Sequence, residues 1–147
     1  MSSTRQQIVD ALETRLKTIT TANGYTLQIG SKVYPWRKTP LTINELPAIC
    51  FWDGTADVQR ETLCGSTSHR LHVTAALFCE SKTTASQARA GINDMFKALA
   101  TDSTFGGLVQ IFWPTSHDIT MEVDGDICGA GRIEFELTYY TATPGEI

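Results

Sequence analysis

Two histidines three residues apart, His69 and His72, invite a metal reading. They lie in a stretch of alternating apolar side chains. On a strand, residues three apart point to opposite faces, so these imidazoles diverge and cannot share one ion. His117 has only Asp118 beside it as an acidic neighbour. Glu122, Asp124 and Asp126 form an acidic run, but it lacks the twelve-residue spacing and closing bidentate Glu of an EF-hand. Asp124-Gly125 explains itself as a turn. A loosely held divalent cation near Glu122 and Asp124 stays open, and no structural or catalytic metal centre is expected.

Nucleophiles fare no better. Cys64-Gly65-Ser66-Thr67-Ser68-His69 has neither the Gly-x-Ser-x-Gly elbow nor an evident acid, and reads as a Gly/Ser loop. Cys50 and Cys79 fall in apolar strand patterns, where a thiol is inert. Neither Gly106-Gly107 nor Gly129-Ala130-Gly131 has the strand-to-helix setting or the Lys of a phosphate loop. Arg132, Glu134 and Glu136 share one strand face; a carboxylate pair can do acid-base work, but alternating polar residues on a half-solvated strand are the plainer account. The expectation is therefore a protein that is not an enzyme, with no catalytic residues and no cofactor.

The elements that carry these residues belong to one domain. A chain of 147 residues with 41% apolar content can bury a single core. Its net charge is −4, and its twelve Lys and Arg are scattered, which argues against a nucleic-acid binder that must release counterions from phosphates. The first residues lack the apolar core of a signal peptide, and no apolar run approaches the roughly 20 residues that span a bilayer. A cytosolic protein is expected, with Cys50, Cys64, Cys79 and Cys128 as free thiols.

Ser3-Thr4-Arg5-Gln6 has capping-box form, and Ile8, Leu12, Leu16 and Ile19 follow at helical spacing, with Asn23-Gly24 as the C-cap. Tyr25, Leu27 and Ile29 alternate towards Val33 as a strand. Residues 35–47 read as a proline-punctuated loop. Ala48 to Trp52 is a short apolar run, expected as a strand covered on both faces and closed by Asp53-Gly54, with core packing the expected fate of Trp52. The longest period-two run, Leu71 to Cys79, belongs at the sheet centre. Thr84-Ala85-Ser86-Gln87 opens a second helix with Ala88, Ile92, Met95, Phe96 and Leu99 inward. Two strands follow, Leu108 to Pro114 continuing into Ile119 to Val123, then Arg132 to Tyr140, joined by a turn at Asp124-Gly125. The fold class is α+β: a mainly antiparallel sheet of about five strands with two helices packed on one face. The domain spans 1–140, and 141–147 is expected to be a flexible tail.

Aromatic and charged residues in two connecting segments suit assembly. A Trp in a proline-rich loop beside a positive charge, Trp36 and Arg37, is of the type enriched in interfaces. Asp53, Asp57, Arg60 and Glu61 lie on an arm expected to be mobile or an extension of the strand, its acidic residues offering negative charge. A closed ring needs two such unlike surfaces.

The chain carries an ordered series of signatures: the capped helix, then Tyr34-Pro35-Trp36-Arg37, Pro40-Leu41 and Leu46-Pro47-Ala48. A central strand begins near His69-Arg70-Leu71, a helix ends before Asp102-Ser103-Thr104-Phe105-Gly106-Gly107, and a last strand runs to Tyr140. This series resembles the tail-terminator proteins of long-tailed bacteriophages and prophages, also called minor tail or tail-completion proteins, over nearly the whole chain. The resemblance implies a structural virion subunit, made in the bacterial cytoplasm, that forms a homo-oligomeric ring, commonly a hexamer. Its implied partners are the tail tube protein and a head-completion or connector protein. A head-side neck protein, or a small ligand-binding or hydrolytic α+β domain with an apolar pocket and convergent polar groups, are the alternatives.

Overall fold

Strand β3 (Thr67–Glu80) is the middle of a five-stranded sheet whose spatial order is β1-β2-β3-β5-β4, the place its long alternation predicts. The chain-order elements are α1 (Thr4–Leu16), β1 (Val33–Pro35), β2 (Ala48–Arg60), β3, α2 (Ala85–Ala100), β4 (Ile111–Asp124) and β5 (Ile127–Thr141). The structure, a computed structural model, describes residues 3–60, 66–142 and 145–147. Cys64 and Glu61 therefore lie outside the described residues. Only the β1–β2 pair is parallel; the other three are antiparallel, so the α+β architecture expected from the sequence is present as a mixed sheet.

Period two decides which face is buried. Leu71, Val73, Ala75, Leu77 and Cys79 of β3 are buried, and with Ile133, Phe135 and Leu137 of β5 they meet Ile8, Leu12 and Leu16 of α1 and Ile92, Met95 and Leu99 of α2 in one core. Both helices therefore cover the same face. Among the described residues no helix covers the opposite face, which carries the alternate residues.

Local chemistry sets the helix ends. Ser3 Oγ accepts from the Gln6 N–H at 3.1 Å, while the Gln6 amide donates forward to Asp10. α2 has the reciprocal box between Thr84 and Gln87. Gly91 lets α2 sit on the sheet: a Cβ there would fall 2.4 Å from Leu77 Cδ2. α1 ends earlier than predicted, because Thr18-Ile19-Thr20-Thr21 is a β-branched run and the Thr18 hydroxyl donates to the Arg15 carbonyl at 2.6 Å. Ile19 is buried beyond the helix, and Gly24 caps a short 3-10 turn, Thr21–Asn23, rather than α1.

Three further expectations are corrected. The strand predicted over Tyr25 to Ile29 does not form: Thr26 and Leu27 donate their N–H groups to the Asp94 carboxylate of α2, at 3.0 and 2.9 Å, and Ile29 and Gly30 both donate to the Ile19 carbonyl. β2 is not closed at Asp53-Gly54 but runs on to Arg60 through a bulge between Asp53 and Ala56, so of the two alternatives for this arm the strand extension is the one present as far as Arg60. β2 is buried on one face only, so Trp52 is 36% exposed rather than in the core. β5 starts at Ile127, five residues before its predicted start, after a turn in which Gly125 takes φ 62°.

The final residues are not wholly loose. Thr141 closes β5, and the Arg5 N–H donates to the Ile147 carbonyl at 3.2 Å. No helix among the described residues is long and apolar enough to cross a membrane.

Candidate assembly surfaces

At the margin of the sheet, β1 ends in Pro35 and the chain turns sharply. Trp36 sits at φ 51°, a left-handed conformation that costs a bulky residue free energy and persists only when its surroundings hold it. Two hydrogen bonds hold it. The Trp36 N–H donates to the Phe51 carbonyl at 2.8 Å, and its indole Nε1 donates to Asp53 Oδ1 at 2.6 Å. Arg5 of α1 donates Nε to the other Asp53 oxygen at 2.6 Å and Nη2 to the Gly54 carbonyl. Partial burial pushes the Asp53 carboxyl up, but the hydrogen bonds from Trp36 and Arg5 outweigh it and hold the group below its usual range. Trp36 as a residue remains 55% exposed.

Arg37 is differently placed from the free positive charge expected of it. Its guanidinium forks onto Glu45, with Nη1 on Oε2 and Nη2 on Oε1, and Nε donates to the Thr39 carbonyl at 3.0 Å. It lies 4.6 Å over the Tyr34 ring. Glu45 also receives the Thr42 N–H and hydroxyl, closing the cap of a 3-10 turn, Ile43–Glu45. The hydrogen bond from Arg37 lowers the Glu45 carboxyl to about 2. Arg37 is a clasp inside the loop rather than a charge offered outward.

The uncovered sheet face is the second surface. Register places Trp52, Thr74, Glu134 and Ser116 in one row across β2, β3, β5 and β4, and His72, Glu136 and Trp113 in the next. Asp57, Arg70, Thr138 and Ile111 make a third row. Trp113 is 65% exposed and Ile111 53%, and Tyr140 is exposed on the same face. His72 bridges the strands, with Nε2 3.1 Å from Asp57 and Nδ1 3.4 Å from Glu136. Its two nitrogens thus face different carboxylates. Among the described residues no group of three His, Cys, Asp or Glu side chains is placed to hold a metal.

His69, by contrast with His72, is buried. It stacks on Tyr139 with centroids 4.7 Å apart and pairs its Nε2 with Thr141 Oγ1 at 3.0 Å. Burial, then the Arg5 charge, pushes its pKa down.

Of the residues singled out from sequence, Trp36 and Asp53 come together, Asp57 joins the open face, and Arg60 stands exposed at the end of β2 opposite Thr67. Glu61 is outside the described residues. Sequence reasoning missed Arg5, Glu45 and Trp113. The first two act over separations of 48 and 8 residues that no local pattern marks, whereas the alternation of Ile111 and Trp113 with core-facing Phe112 signals Trp113 once β4 is recognised. No protein-family model matches the chain, and no curated protein matches it.

Proposed function

We propose that this chain is a structural assembly subunit that forms a closed homo-oligomeric ring and caps the end of a phage tail tube, stopping its growth and presenting a surface for the head. The observation that supports this reading best is the position of the tryptophans. All three, Trp36, Trp52 and Trp113, are exposed, although burying their rings would have contributed more to a core than any other side chain. Trp52 and Trp113 share the uncovered face with Ile111 and Tyr140, amid charges of both signs from Arg70, Asp57 and Glu136. Aromatic anchors set in a polar surround are the composition of interface centres, and an apolar patch of this kind on a small domain marks an interaction site. In this reading the open face meets the tube or connector, and the ring joints lie at the sheet margins.

Electron microscopy of the purified protein, with light scattering across a hundredfold concentration range, tests the proposal. Rings of a single size support it. A monomer at every concentration overturns it.

A further inference from the structure

A ring of identical copies needs one surface of each subunit to fit a different surface of the next. Pairing between free strand edges is a poor joint here. β4, one outer strand, is interrupted by bulges at Pro114/Ser116 and Ile119/Glu122 and carries Asp118, Glu122 and Asp124. The free stretch of β2 at the other margin carries Asp53 and Asp57 as well as Arg60, so apposed edges would set most of their charged residues against like charges. The joint must come from side chains.

Two features on the helix-covered side, at opposite margins of the sheet, are complementary. Beside β1 stands Trp36, exposed but fixed at both backbone and indole, so little freedom is lost when a partner receives it. It shares a cleft with Asp10 and Glu13 of α1; Glu13 pairs with Lys17 at 3.0 Å, so the negative charge of this flank rests mainly on Asp10. At the far margin, between α2 and β4, a cavity of about 320 Å³ is lined by Ile92, Phe96, Ile119, His117, Asn93 and Arg89. Its interior is mostly apolar, and Phe96 and His117 already meet edge to face at 6.1 Å, an arrangement that suits a third aromatic ring. Arg89 stands exposed at the rim, with no ion-pair partner among the described residues.

We infer that Trp36 of one copy inserts into the α2–β4 cavity of the next, with Arg89 of the receiving copy facing Asp10 on the acidic flank of the anchor; this rests on the ring reading above. The occupant is a second copy of this chain because anchor and cavity differ in shape and in charge and lie at opposite ends of one sheet. That arrangement propagates head to tail until it closes. Hydrophobic insertion holds the joint, and the charge pair orients it.

The test uses two variants of the full chain, Trp36→Ala, which removes the anchor, and Asn93→Trp, which fills the cavity from an exposed helix position. Each alone should keep the parent's circular dichroism spectrum and run as a monomer in size-exclusion chromatography with light scattering, melting below the parent only by what the ring contacts contribute. Mixed in equal amounts they retain one intact anchor and one intact cavity per pair. The mixture should therefore give a species of twice the monomer mass and nothing larger. If the parent forms rings and either variant does too, the joint is wrong while the ring reading survives. A mixture that stays monomeric also overturns the joint. A parent that never associates overturns the ring reading and this inference together.

Discussion

The indole Nε1 of Trp36 lies 2.6 Å from Asp53 Oδ1, and this bond links a strained loop residue to the margin of the sheet. The same carboxylate takes Arg5 from α1, so three segments meet on one side chain. Asp53→Ala removes the acceptor for both donors. It should lower stability by about 2 kcal/mol, the scale of hydrogen bonds to a charged group. Exchange of the Trp36 indole proton, followed by NMR, should accelerate. Unchanged exchange would mean that the bond does not hold the ring.

Asp94 explains why a plausible strand is absent, and predicts what its loss does. Its carboxylate is buried and accepts from the Thr26 and Leu27 N–H groups. Asp94→Ala should cost about 2–4 kcal/mol, since it opens a space in the core and strips partners from two backbone donors. Amide exchange should rise most at Thr26 and Leu27, and a uniform rise across the sheet would count against this local role.

These two residues also show where the sequence was readable. Elements built on periodicity and neighbouring caps, such as α2 with Thr84 and Gln87 or the alternation of β3, follow from residues a few positions apart. The segment 25–30 alternates equally well, yet its backbone donors go to Asp94, 68 and 67 residues away from the two donors. No window centred on Tyr25 contains that information. Trp52 was misplaced for a related reason. A run of consecutive apolar residues signals a strand but not how many of its faces are covered, and here both helices pack on the other face.

Acid should loosen the loop that presents Trp36. Glu45 titrates at about 2 in the folded chain against an ordinary value of 4.5, held there first by the hydrogen bond from Arg37. A carboxyl with a lowered folded value contributes stability that is complete above about 4.5 and is lost as pH falls towards about 2. Asp53 shifts in the same direction and adds to the acid limb. Denaturation midpoints measured between pH 6 and about 2 should fall with acid, and Glu45→Gln should flatten that fall. An equally steep limb in the variant would remove Glu45 from the account.

His69 predicts a second step at milder pH. Its folded value lies below the ordinary 6.5 because burial disfavours the imidazolium. Between those two values the unfolded chain binds the extra proton, so stability is full above about 6.5 and declines as pH drops below it. His69→Phe should abolish that step while keeping a ring against Tyr139, at the loss of the bond to Thr141. Persistence of the step would remove His69 as its source.

Trp113 separates a surface used in assembly from one used in folding. Removing a buried Trp costs about 3–5 kcal/mol, whereas a surface substitution away from special features usually stays within about 0.5 kcal/mol. Trp113 is 65% exposed on the face that no helix covers, opposite Glu136 in the register. Trp113→Ser should therefore leave the thermal midpoint close to that of the parent, and the same change at half-covered Trp52 should cost somewhat more. If the open face meets the tube, the Trp113 variant will still form rings, because the inferred joint is on the other side of the sheet. It will bind purified tail-tube ends at least tenfold more weakly, the loss expected when an aromatic anchor worth 1.4 kcal/mol or more is removed. Binding at parental strength would show that the tryptophans of this face do not contact the tube.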